Sequence, residues 1–397
     1  MRSKNLQEGE LLFEKRRVAR ARLAVATLFF VFGLLIGTWA PHIPLANEKL
    51  HATPVWFGLS LLCMGLGAMF TMPLIGIVIS GHGSARVAVV TAFLSIAAII
   101  PPFIAPTLPI FAATLLFFGG ALGALDVAMN AHGVLVERKL HRPTMSAFHG
   151  VYSLAGLFGG LLSSLLIQRI SEFERASLTC VVCCLMVLLA RPYLLPAEED
   201  KGRMTPTLSL PSRSTIGIGL LCLLTFMIEA ATVDWSGIYL REQFAVSGTA
   251  IGLNFAAYSL AMAIARFAGD KLRETYGVIR LVKWLASACA IFMIAGLAVP
   301  VPQLSIALFA LSGFALGPIA PILVIEGGRA DRANPSHGIS AVTTLGYAGN
   351  TLGPPIVGFI AGVAGLNSAL MVVGGLTFVI AGFFGVSSRA VTKYSTP

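Results

Sequence analysis

Charge is what this 397-residue chain has least of: Asp, Glu, Lys and Arg together make up 12% of it, about half the roughly 25% usual in soluble globular domains. A water-soluble globular fold is therefore excluded. Cysteine is sparse too, and all six residues (Cys63, Cys180, Cys183, Cys184, Cys222 and Cys289) lie within apolar runs. They read as small buried hydrophobes, which excludes a disulfide framework and a zinc site. No Walker loop, HExxH or GxSxG string occurs, and the Cys180/Cys183 spacing has no second cysteine pair to complement it. Those absences remove ATP-driven pumping by this chain alone and the common hydrolytic and metal-dependent chemistries. The seven histidines are scattered. No enzyme activity, cofactor or metal is expected.

Hydrophobic residues fill 56% of the chain and the mean hydropathy is +0.84. A helix crosses a bilayer with roughly 20 apolar residues, and long uncharged runs predict twelve such helices. The first six are Leu23 to Trp39, Val55 to Ile79, Val87 to Ile104, Ile110 to Val136, Ala147 to Ile167 and Ala176 to Leu195. The second six are Ile216 to Leu240, Thr249 to Ala268, Leu281 to Val299, Leu304 to Ile325, Ile339 to Val363 and Leu366 to Val386. An N-terminal segment (1–22), a first six-helix bundle (23–195), a polar, proline-rich linker (196–213), a second bundle (214–388) and a tail (389–397) follow from these runs. The basic start of the chain leads into a long span without a cleavage signature and reads as an uncleaved first helix. All but four of the 28 Lys and Arg residues, namely Lys49, Arg169, Arg175 and Arg241, fall on one face of this topology. That face, with both termini and the linker, is expected to be cytoplasmic. The net charge of +10 then needs no nucleic-acid partner.

The halves echo each other. Gly119-Gly120-Ala121-Leu122-Gly123 returns as Gly313-Phe314-Ala315-Leu316-Gly317, 194 positions on, and Pro143 is matched by Pro335. Two related bundles around a central axis are the architecture of many alternating-access transporters, with the site near the midplane.

With twelve spans in two halves, nearly the whole chain resembles the major facilitator superfamily. Asp126-Val127-Ala128-Met129-Asn130, then Val136-Glu137, then Arg142-Pro143-Thr144-Met145-Ser146-Ala147-Phe148-His149-Gly150 resemble the YbjJ-like branch of bacterial inner-membrane transporters. That branch is distantly similar to proton-coupled fucose permeases, and Glu229 with Asp234-Trp235-Ser236 fits it too. The resemblance implies an all-α membrane protein of two pseudo-symmetric six-helix bundles in the bacterial inner membrane. It also implies a secondary transporter, with protons, a small solute and the lipid bilayer as partners and a monomer as the working unit. The superfamily's loop 2-3 signature keeps Gly76, Gly83 and Arg86, but Ser80 and Gly81 replace its Asp and Arg. The equivalent loop 8-9 keeps Arg266, Gly269-Asp270-Lys271 and Gly277. The family's charge latch is thus expected mainly in the second half. The antiporter-type proline-glycine motif is absent from span 5, whereas span 11 carries Gly353-Pro354-Pro355.

Three carboxylates, Asp126, Glu229 and Asp234, lie inside the predicted spans. A charge there costs roughly 2.5–3.5 kcal/mol even on the lenient insertion scale. Asp126 sits about 16 Å above the inner end of span 4 at 1.5 Å per residue, and Asn130 is one turn away on the same face. His149, Tyr152 and Ser153 of span 5 reach similar depths. Asp126, Glu229 and His149 are the proton-coupling candidates, and polar glue between helices is the alternative. Asn254 and Tyr258 in span 8, Thr343, Tyr347 and Asn350 in span 11, and Trp39 in span 1 join Asn130, Tyr152 and Ser153 as candidate solute contacts; the alternatives are helix packing and, for Trp39, an interface anchor. Asp234, Arg266, Asp270, Lys271, Glu137 and Glu326 are the gating candidates. Carboxylates without a buried Lys or Arg suit a neutral or cationic solute, and the fucose-permease similarity favours a sugar-like one. Efflux of a drug or metabolite, uncoupled uniport and a non-transporting receptor or scaffold are the rival readings.

Overall fold

In lipid every backbone N–H and C=O must be bonded within its own segment, so each apolar run folds as a helix. The computed structural model describes residues 2–141, 144–199, 212, 214–331 and 335–394, and no strand occurs among them. The first bundle contains α1 (Arg2–Trp39), the short α2 (His42–Leu50), α3 (Pro54–His82), α4 (Ser84–Ala98), α5 (Ile100–Ile104), α6 (Leu108–Leu140), α7 (Met145–Leu166) and α8 (Glu172–Ala190). The second contains α9 (Ile216–Phe244), α10 (Gly248–Tyr276), α11 (Val278–Ala298), α12 (Pro302–Leu316), α13 (Ile319–Ala330), α14 (Pro335–Ala364) and α15 (Leu366–Tyr394). Span 3 is α4 with α5, and span 10 is α12 with α13, interrupted at Pro318 where a ring replaces the N–H.

Among the described residues, eleven helical stretches are long and apolar enough to cross a membrane. The twelfth span is α14, 30 residues long but diluted by Thr343, Tyr347, Asn350, Pro354 and Pro355. The first helix starts at Arg2 and not at Leu23, and α15 runs on to Tyr394 through most of the expected tail. Arg142, Pro143 and most of the 196–213 linker lie outside the described residues.

Below, the end of the molecule that carries both termini is the basic end, and the opposite one the far end. The bundles meet where α3 packs on α14 and α7 on α10. Both contacts rest on small residues in their far halves. Gly58 of α3 lies against Pro354, Pro355 and Gly358 of α14, and Gly252 of α10 against Gly160 and Ser164 of α7. Residues 58 and 252 are 194 apart, as are 164 and 358. The two seams are thus one contact used twice. The same offset joins Gly83 and Gly277, which begin α4 and α11 at φ of 80° and 73°, conformations that a side chain resists.

Leucine at Gly58 or Gly252 would meet the opposing helix, so each variant is expected to lose about 1–3 kcal/mol, the range for over-packing. Gly375, with open space around its Cβ position, is the control. Melting temperatures of Gly58→Leu, Gly252→Leu and Gly375→Leu check this.

Candidate functional site

Asp126 lies half-way along α6 where that helix faces the second bundle. Asn130, one turn on, donates Nδ2 to Asp126 Oδ1 at 3.0 Å and also to the Asp126 carbonyl at 2.8 Å. Tyr347 of α14 donates its hydroxyl to Asp126 Oδ2 at 3.0 Å. One carboxylate therefore takes a donor from each bundle. Tyr347 is nonetheless 40% exposed, and because its hydroxyl reaches the other bundle, that surface belongs to a cavity between them. Asn350, one turn further along α14, is exposed as well, and Phe226 of α9 lies against the Tyr347 ring at 6.2 Å.

The α7 residues line the opposite wall. His149 is exposed, with its ring edge-on to Phe29 at 5.2 Å. Tyr152 packs on Phe32 at 5.6 Å and lies within electrostatic reach of Asp126, Glu229 and Arg266. Ser153 spends its proton on the His149 carbonyl at 3.0 Å, and Thr343 spends its own on Ile339 at 2.8 Å.

Glu229 of α9 is paired, which corrects the expectation that the buried carboxylates have no buried cation beside them. Arg266, assigned by the loop 8-9 motif to a gating latch, instead turns into the second bundle. Its Nη2 meets the Glu229 carboxylate oxygens at 3.2 and 3.4 Å, and its Nε donates to the Gly317 carbonyl at 3.3 Å. The motif places Arg266 within about three turns of the end of α10, but its long side chain follows the lower-cost route to a carboxylate within the membrane. Both side chains keep part of their surface, 32% for Arg266 and 24% for Glu229. His149 lies within electrostatic reach of Arg266 from across the interface.

Three expected solute contacts lie elsewhere. Trp39 is 3% exposed and enclosed by His42, Phe103, Phe111 and Phe118 inside the first bundle. Asn254 and Tyr258 are 2% and 4% exposed and face α9 and α12 inside the second bundle, where Asn254 donates to Ser236 at 2.8 Å and the Tyr258 ring covers Gly313. Helical spacing identified a polar face on α10 correctly, but not the neighbour it turns toward.

Among the gating candidates, Glu137 accepts from the backbone N–H of Thr144 at 2.6 Å and of Met145 at 2.8 Å, capping α7 within its own bundle. Asp331, 194 positions on, similarly ties the end of span 10 to His337 of α14 at 2.8 Å. Glu326 pairs with Arg329 on its own helix at 2.7 Å, and Lys271 is exposed at the basic end. The Asp270 side chain lies outside the described residues. Asp234 is half-buried in the far half of α9, and its neighbour Trp235 meets Phe57 of the first bundle edge-on at 6.1 Å.

Sequence reasoning missed the far-end ion pair that joins the bundles: Arg241 of α9 holds Glu48 of α2 at 2.5 Å. Beside it, Lys49 takes Glu172 of α8 at 2.6 Å. A short helix between two spans carried no signal for either.

Residues 218–395 match the Major Facilitator Superfamily. An uncharacterized MFS-type transporter of Yersinia pestis is 32% identical over 369 residues, covering 92% of this chain and 94% of that protein. The chain belongs to the major facilitator superfamily. Membrane protein MosC of Rhizobium meliloti is 29% identical, over 90% of this chain and 88% of its own. Among solved structures, the nucleoside transporter NupG superposes with a TM-score of 0.72 at 14% identity, over 94% of this chain and 100% of that one. The chain is therefore a multi-pass membrane transporter of a small solute.

At the basic end, Glu199 pairs with Lys139 of α6 at 2.7 Å and Arg17 of α1 at 2.8 Å. Burial by itself pushes the Glu199 carboxyl up, but Lys139 and Arg17 outweigh it and hold the group below the usual glutamate range.

Two outcomes follow. Arg266→Met leaves Glu229 without its cation and is expected to cost about 1–3 kcal/mol, while Glu229→Gln/Arg266→Met recovers part of that loss; a double-mutant cycle of melting temperatures reads the coupling. A carboxyl lowered in the folded state stabilises above its unfolded value, about 4.3 for glutamate, and that contribution is lost as the pH falls through the lower folded value. The Tm difference between wild type and Glu199→Gln, present at neutral pH, is thus expected to close in acid.

Proposed function

We propose that the chain is a proton-coupled secondary transporter that carries a small polar solute across the bacterial inner membrane by alternating access. Both termini are cytoplasmic, the working unit is a monomer, and the chain belongs to the YbjJ-like branch. The observation that carries this reading is the Asp126 carboxylate, placed between the bundles and bonded to Asn130 on its own side and Tyr347 on the other. Hydrogen bonds to a charged group contribute about 1.5–3 kcal/mol, so an ionised Asp126 draws α6 and α14 together. A proton on that carboxyl removes the charge and weakens the tie across the interface. Protonation and the relative stability of two bundle arrangements are thereby linked.

The cavity supports a hydroxyl-bearing solute. Its walls carry the Tyr152, Tyr347 and Asn350 side chains and His149, while Arg266 already neutralises Glu229. NupG carries nucleosides, and XylE of E. coli, which superposes with a TM-score of 0.68, carries xylose; both names suggest where a search begins. The far half of the interface is packed by Gly58, Gly252 and the Glu48–Arg241 pair, which supports a state closed at the far end, the periplasmic one in this reading.

A thermal-shift panel of nucleosides, pentoses, hexoses, cyclitols, amino acids and organic cations identifies the solute, since a ligand at a hundred times its Kd stabilises by about 2.7 kcal/mol. In proteoliposomes an inward proton gradient should then concentrate that solute, and Asp126→Asn should abolish the accumulation while exchange of labelled for unlabelled solute continues. Flux indifferent to the gradient in the wild type would make the protein a uniporter.

A further inference from the structure

Within the second bundle, α9 and α10 face each other along a column of polar side chains. Nearest the far end, Asn254 donates to Ser236 at 2.8 Å. One turn toward the basic end, Thr232 stands beside the Tyr258 hydroxyl, and two turns further along α10 Arg266 meets Glu229 at 3.2 Å. Positions 254 and 258 share one face of α10. Asn254, Ser236, Thr232 and Tyr258 are all at most 4% exposed. Yet two oxygens of the column, Asn254 Oδ1 and the Tyr258 hydroxyl, have no hydrogen-bond partner. Thr232 gives its own proton to the Ile228 carbonyl at 2.7 Å, so toward the Tyr258 hydroxyl it offers only an acceptor and leaves that oxygen's lone pairs without a donor.

An orphaned buried oxygen costs about 1–3 kcal/mol, and in a polar crevice its usual partner is ordered water. Two orphans one turn apart, each beside a second polar side chain, supply the several partners that such water needs. At the far end the column stops under Gly237, where a Cβ would come 2.9 Å from Pro44 Cγ and 3.0 Å from Ile251 Cγ2. Pro44 belongs to α2 of the first bundle, so the stopper leaves when the bundles part at that end. At the other end Glu229 and Arg266 keep part of their surface, with Tyr152 of the first bundle within electrostatic reach of both.

We propose that the α9–α10 seam holds a file of water molecules that brings protons from the far face to Glu229, separately from the solute cavity, with Pro44 as its stopper. This rests on the proton-coupled reading above. A hydronium at the end of the file gives its proton to a Glu229 carboxylate oxygen and remains as water. Arg266 then loses its ionic partner and keeps the Gly317 carbonyl at 3.3 Å. The groups that face Glu229 are Arg266 and Tyr258 from α10, Tyr152 from α7 and Cys222 on α9 itself, with His149 acting on Arg266 from across the interface. Arg266 is the cation with which the incoming proton competes.

The test uses silver ion, which reaches a thiol through water. In the full chain with its six cysteines replaced by alanine, Asn254→Cys and Tyr258→Cys are introduced singly, with Ser236→Cys as a milder variant should either fail to fold. Val373→Cys, at a position 1% exposed in an apolar part of the bundle, is the control. Seam cysteines should react about tenfold or more faster than the control, as a wet site differs from a dry one, and faster again with Pro44→Gly. Tyr258→Phe should slow proton uptake into proteoliposomes several-fold. Seam cysteines as slow as the control overturn the proposal even where gradient-driven transport is intact. A reactive seam in a protein whose flux ignores the gradient overturns the proton-coupled reading instead, and with it the seam's role.

Discussion

A carboxylate inside a membrane bundle has to find hydrogen-bond donors in the protein, and Asp126 finds one on each side of the bundle interface. Much of the central arrangement depends on that requirement. Tyr347 must cross from α14, which keeps the least apolar of the twelve spans at the interface, where its polar side chains need not face lipid. The tie is conditional on charge. A contact between aliphatic side chains would hold the bundles together regardless of protonation, whereas a phenol bonded to a carboxylate holds them more tightly when the carboxylate is ionised.

Packing between the bundles obeys a second constraint, the shared plan of the two halves. The Gly58–Gly358 and Gly252–Ser164 contacts are related by one offset, as are the turns at Gly83 and Gly277 and the carboxylates Glu137 and Asp331. Small residues let helix backbones approach without a side chain between them, which is how helices associate where no hydrophobic force drives them together. Symmetry ends at the chemistry. Asp126 has Ala320 at its counterpart position 194 residues on, and Arg266 has Met72 at the position 194 residues before it. Toward the centre the first bundle thus presents an uncompensated carboxylate and the second a compensated pair, with Asp234 further out on α9.

That division bears on what the cavity accepts. With Arg266 neutralising Glu229, a charge on Asp126 is met by neutral donors alone, and under the proposed reading such a lining suits a hydroxyl-bearing solute and a proton better than an anion. The Asn254–Tyr258 column, withdrawn from the cavity, places polar groups inside the second bundle where a solute has no surface to touch.

The order of the apolar helices and the mid-helix positions of Asp126 and Glu229 were legible in the amino-acid sequence, because membrane thickness and backbone hydrogen bonding leave an apolar run almost one way to fold. Helical spacing also showed which residues share a face: Asp126 with Asn130, Asn254 with Tyr258. It could not show what each face looks toward. Tyr347 and Asp126 lie 221 positions apart, Glu229 and Arg266 lie 37 apart, and no local pattern encodes either pairing. Trp39 shows the same limit, since an aromatic residue near a helix end can stand at an interface, line a cavity or fill a bundle, and only Phe103, Phe111 and Phe118 around it decide for the last. Local sequence set the helices and the polar inventory; which of the three intramembrane carboxylates gains a cation was decided by tertiary packing, because that depends on how helices distant in the chain rotate against one another.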